Sequence, residues 1–210
     1  MGCRGVHFAL SPEELADLEA AKDDEALMAL IEEIEDRWDR DWLVETDKAW
    51  DAIHRCLTDG TLEYGPSPLH KCVLGAANRH SGDDYVVNLL GSEEVKEVAE
   101  AIREIDEDVM RRAYFAIDPG SYDGDLSEDD FGYTWENFLE LRAFFEKAAR
   151  QVRAVAFTVD QERERRNFSL ISTRFLGATG CTQPVCRGSA QEARVEYNPW
   201  HPKIDPILSN

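Results

Sequence analysis

The stretch DKAWDAIHRCLTDG, Asp47 to Gly60, sets a histidine among apolar side chains. On a helix, residues three or four apart share a face, so Trp50 and His54 stack, Asp47 falls one turn before them and Leu57 one turn after. An aromatic ring, an imidazole and a carboxylate on one face could orient a small ligand or hold a proton near neutral pH. The same pattern also serves packing, with Asp47 capping the helix and His54 satisfying a buried carbonyl beside Trp50. Both readings stand on the residues alone.

Two H-x-C pairs, His54 with Cys56 and His70 with Cys72, have the side chains of metal ligands. On a helix, positions two apart diverge by about 200°, so His54 and Cys56 face opposite ways and cannot share an ion. Cys181 and Cys186 with His201 further on form one C-x4-C without the second pair of a structural zinc site. In the acidic stretch, Asp123, Asp125 and Ser127 alternate as in a calcium loop. Glu128 stands where that loop needs Gly, however, and Thr134 where it needs a bidentate Glu. No phosphate-cradling glycine loop, nucleophile elbow or Cys-His catalytic signature is present, so the expectation is no cofactor, no metal and no catalytic constellation.

Elements able to position these residues follow from periodicity. RGVHFAL reads as a strand of about six residues. Ser11, Pro12 and the acids after them open a helix to Ala21. A second helix, 24–37, places Leu27, Leu30, Ile31 and Ile34 on one stripe. Trp38 and Trp42 fall in a link, and Thr46 or Asp47 caps the helix that ends at Leu57. GPSPLHKCVLGA, bounded by Gly and Pro, is a short helix or turn, and YVVNLLG a buried strand. Helices follow over 92–105 and 106–116, then an acidic loop through Thr134, a long helix from Trp135 and a last strand, RAVAFTVD. The expected class is α+β: a small antiparallel or mixed sheet with about six helices packed on it and an irregular C-terminal tail, the first and last strands being neighbours at the sheet edge.

The 210 residues carry 23 basic and 43 acidic side chains, a net charge of −20. Phosphate affinity comes from Lys and Arg, so direct nucleic-acid binding is not expected of such a body. The acidity suits solubility or an encounter with a basic partner. From 161 onward the chain is mildly basic and poor in apolar periodicity, which divides it into a domain, 1–160, and an irregular, mobile extension, 161–210. No segment approaches the roughly 20 apolar residues of a membrane span, and MGCRGVHFAL lacks the marks of a secretory leader. Five cysteines, an odd number without dense spacing, fit reduced thiols, and the expected location is cytoplasmic.

The stretch from Asp47 to Gly60 also resembles the signature of the YfbM-like family, a bacterial family known as domain of unknown function 1877, with its Asp-Lys-x-Trp start and a His four residues after the Trp. MGCRG, PLHKCVLG, LGSEEVKEVAEAI and FLELRAFFEKAA agree with the family in order, over about residues 1–160. The resemblance implies an α+β fold and supplies no activity. It carries over Asp47, Lys48, Trp50 and His54 as signature positions, the candidate ligand-binding residues. The functional expectation is an acidic protein-interaction module, for example an antagonist or immunity-type binder, whose partner is another protein. The alternative is a small-ligand-binding protein or enzyme with a pocket around Trp50 and a partly accessible His54. A third reading is a scaffold role with the tail as attachment.

Overall fold

The computed structural model describes residues 4–82 and 85–160. The expected irregular tail, with Cys181, Cys186 and His201, lies outside the described residues. Four strands, β1 (Gly5–Leu10), β2 (Leu43–Asp47), β3 (Tyr85–Leu90) and β4 (Ala154–Asp160), form one antiparallel sheet in the order β2-β1-β4-β3. Seven helices accompany them: α1 (Pro12–Ala20), α2 (Asp24–Arg37), α3 (Ala49–Leu57), the single turn α4 (Pro68–Lys71), α5 (Ser92–Arg103), α6 (Glu107–Tyr114) and α7 (Glu128–Arg150). The α+β class is therefore as expected, with a purely antiparallel sheet.

Three details differ from the sequence reading. β1 and β4 are neighbours, but they form the centre of the sheet, not its edge. β2 lies in what reads as a link, because its five residues, LVETD, bury only Val44 and Thr46 and offer too short an alternation to register as a strand. α7 begins at Glu128 rather than Trp135. The Ser127 side chain accepts from the Asp130 amide, and three acids in the first turn suit the helix dipole, so the second half of the acidic stretch is helix.

Alternation along the strands gives the sheet two different faces. Val6, Phe8, Leu10, Tyr85, Val87, Ala154 and Ala156 meet Leu18 of α1 and Leu27, Ile31 and Ile34 of α2. His7, Asn88 and Phe157 alternate to the opposite face, where His7 packs against Phe144 and Phe145 of α7. All six residues of β1 are buried, which is why its apolar pattern is nearly continuous.

α1 and α2 start as the sequence indicates. Ser11 and Glu14 form a reciprocal capping box with Pro12 at the first position, and Asp23 caps α2 through the Ala26 amide. At the far edge of the sheet, β3 is covered by a side chain. Asn78 donates through Nδ2 to the Tyr85 carbonyl and accepts from the Val87 amide, while the Arg79 amide donates to the Val87 carbonyl.

Candidate functional site

Each of the four signature residues occupies a joint. Asp47 ends β2 with φ of 43°, in the left-handed region that Asp tolerates better than most residues. Its Oδ2 accepts from the Tyr133 hydroxyl at 2.8 Å, and the exposed Arg4 guanidinium lies 3.1 Å from Oδ1. The same hydroxyl accepts the Lys48 amide at 3.2 Å, so one tyrosine of α7 holds both residues of the turn. The expected capping of α3 by Thr46 or Asp47 is not what forms: Lys48 is the N-cap and makes no side-chain cap bond. The Thr46 hydroxyl instead donates to the Gly5 carbonyl and ties β2 to β1. Lys48 itself is exposed.

Trp50 is buried against β1 and β4, its ring 6.0 Å from that of Phe157. A Cβ on Gly5 would stand 2.8 Å from both the Trp50 and Phe157 rings, so glycine at position 5 is what lets the indole lie on the strand.

His54 is 0% exposed. Its Nε2 is 3.0 Å from the Glu63 carbonyl, which can only accept, so Nε2 carries the proton and donates. His7 does the same on the sheet, donating from Nε2 to the Cys72 carbonyl at 3.1 Å. The two imidazoles thereby fasten the segment between Gly60 and Gly75 at two points. The segment adds its own ties: the Gly65 amide donates to Gly75, and Ser67 Oγ lies 2.7 Å from His70 Nδ1. The His70 ring sits so close beneath Gly65 that a Cβ there would fall 2.3 Å from it, and it approaches His54 to 5.9 Å.

Burial pushes both histidines down, His54 to about 4 and His7 to about 3. Each is neutral across the physiological range, with a bare Nδ1 that has no hydrogen-bond partner. His54 is thus not accessible, and the sequence expectation of a partly open imidazole is not met. His54 and Cys56 do face different surroundings, and among the described residues no three His, Cys, Asp or Glu side chains converge as metal ligands.

Sequence reasoning missed Arg55, which is only 5% exposed. Its guanidinium donates to Asp51 Oδ1 at 2.5 Å, the Gly60 carbonyl at 3.0 Å, Ser121 Oγ at 3.1 Å and the Ser121 carbonyl at 2.7 Å. The fork geometry of guanidinium suits this fan of acceptors. Burial raises the Asp51 carboxyl above its ordinary value and the Arg55 charge opposes that rise. The available signal was Asp51 four residues before Arg55, an ion pair on a helix whose other side chains are mostly apolar. Tyr133 was missed as well, because it lay in the stretch read as loop.

Two open hollows lie on the other side of the sheet. A groove of about 410 Å³ runs between α1 and α2 over Leu18, Leu30 and Ile34, bordered by Asp17, Glu33 and Asp36. The Glu14–Arg37 ion pair separates it from a second hollow of about 300 Å³ that contains Trp42 and Arg153. There Arg153 and Lys147 both stand over the Trp42 ring, at 3.7 and 4.4 Å from its centre.

A four-stranded antiparallel sheet between two helical layers, with a β2–α3 joint built from Asp47, Lys48, Trp50 and Gly5, defines the structural class. Within that class the chain belongs to the family described as domain of unknown function (DUF1877), whose model matches residues 1–158. It is similar in fold to the crystal structure of YfbM from Escherichia coli, itself described as a protein of unknown function. The TM-score is 0.57 at 17% identity, with 74% of this chain and 99% of that one covered. No curated protein matches the chain.

Proposed function

We propose that the domain is an acidic protein-interaction module whose acidic surface engages a basic surface of a partner protein. The observation that supports this reading is the distribution of charge: residues 1–160 hold 38 acidic against 16 basic side chains, and residues 11–37 alone hold eleven against two. Such a field accelerates encounters with cationic surfaces and is weakened by salt. An antagonist or immunity-type binder is one protein of this kind, by analogy only. The alternative, a ligand site at Trp50 and His54, draws no support from side chains that are both buried. Among the described residues no helix is long and apolar enough to cross a membrane.

The test is affinity capture from cell extract with the full chain, at low and raised ionic strength. The expected result is a partner of basic isoelectric point that is retained at low salt and released at high salt. Recovery of no salt-labile partner, or of one indifferent to charge reversal anywhere on the acidic surface, overturns the reading.

A further inference from the structure

α1 and α2 cover one face of the sheet with a thin layer, and the groove between them has two chemistries. Its floor is apolar, made by Leu18, Leu30 and Ile34, with Leu30 half-buried and the other two buried. Its rim is anionic. Asp17, Glu33 and Asp36 are exposed, and none of the three has a cationic partner among the described residues. Arg37, the one cation at the groove, is already held by Glu14.

We infer that this groove is a docking surface for a basic amphipathic helix of a partner protein. The inference rests on the interaction reading above and narrows it to one surface and one chemistry. Charge complementarity selects the occupant. Lysine and arginine carry methylene stems that can lie on Leu30 and the edge of Ile34 while their charged ends reach the three carboxylates. Apolar residues one helical turn away fill the rest of the floor, as in other complexes where a helix lies in a groove. A purely apolar segment would desolvate the rim carboxylates without pairing them. A polycation without apolar residues would engage the rim alone and be screened at moderate salt.

The test uses the full chain and two synthetic peptides as long as α2, 14 residues. One carries Lys and Leu at helical spacing, and the other has Ser at every Leu position. Calorimetry and backbone amide NMR shifts are the readouts. The Lys–Leu peptide is expected to bind, with shifts concentrated in α1 and α2, and the Lys–Ser peptide to bind at least about tenfold more weakly. E33K/D36K is expected to weaken the Lys–Leu peptide about tenfold or more. E97K/E100K makes the same change of charge on exposed positions of α5 and is expected to cost less than about twofold. L30Q is expected to weaken binding further, with some loss of thermal midpoint because Leu30 also packs against the core, and the rim pair decides the matter if L30Q does not fold.

Equal losses from the two charge pairs, shifts away from α1 and α2, or no binding of the Lys–Leu peptide each overturn the groove assignment. The interaction reading is decided separately, by the salt-labile capture.

Discussion

The two faces of the sheet treat polar side chains in opposite ways. On the face covered by α3, α4 and α7, several buried polar groups are joined: His7 and His54 hold one segment, Arg55 gathers Ser121 and Gly60, and Tyr133 closes the turn into α3. On the face covered by α1 and α2, the sheet side is mostly apolar, Glu35 accepts from the Tyr85 and Thr158 hydroxyls, and Asp17, Glu33 and Asp36 stay in water. The first arrangement uses Asp47, Trp50 and His54 in the packing, and the second leaves charge in water.

The contrast breaks most visibly where burial is deepest. Trp50→Ala removes an indole packed on Gly5 and Phe157 and is expected to cost about 3–5 kcal/mol. Denaturant titration checks it as a fall in midpoint with unchanged slope. Gly5→Val, which drives a side chain into the same two rings, belongs with it in direction. Should either variant keep wild-type stability, the signature face is not the rigid one.

Arg55→Ala comes next, at about 3 kcal/mol, because it strands the half-buried Asp51 and frees three acceptors at once. Hydrogen exchange at Ser121 and its neighbours should rise with it, and protection left intact there would show that the loop is held by other means.

Acid sharpens the comparison further. His7 and His54 have native values near 3 and 4, below the ordinary 6.5, so the unfolded chain takes up protons first as pH falls. Stability is therefore highest above about pH 6.5 and declines by about 1.4 kcal/mol per pH unit for each histidine, down to about pH 4 for His54 and lower for His7. Glu14, Asp24, Asp59 and Glu94 are held below their ordinary values and add their own loss only at lower pH. His54→Gln keeps a donor for Glu63 and removes the titration. Urea unfolding from pH 7 to 4.5 should show a slope smaller by that amount, and an unchanged slope would refute a buried neutral His54.

The smallest effect belongs to the other face. Glu33→Gln with Asp36→Asn should shift stability by no more than about 0.5 kcal/mol, with a slight gain at low ionic strength from relieved repulsion. Thermal melts at two salt concentrations are enough to see it.

Much of this was legible in the chain. Ser11 and Pro12 announce α1 by local capping chemistry, and the stripes of α2 and α7 follow from a period that needs no tertiary knowledge. What was not legible depends on partners distant in sequence. β2 is a strand because β1 pairs with it. Asp47 is a joint because Tyr133, 86 residues away, reaches it. The histidine face showed the right residues, but spacing on one helix cannot tell whether a strap such as 61–75 lies over it. The groove between α1 and α2 was hidden for a similar reason, since its acids read as an ordinary solvated surface until the two helices stand side by side.

Asn78 has a bearing on crowding as well as on folding. By taking the Tyr85 carbonyl and the Val87 amide, its carboxamide imitates the peptide group of a fifth strand, so an arriving chain finds the start of that border already occupied.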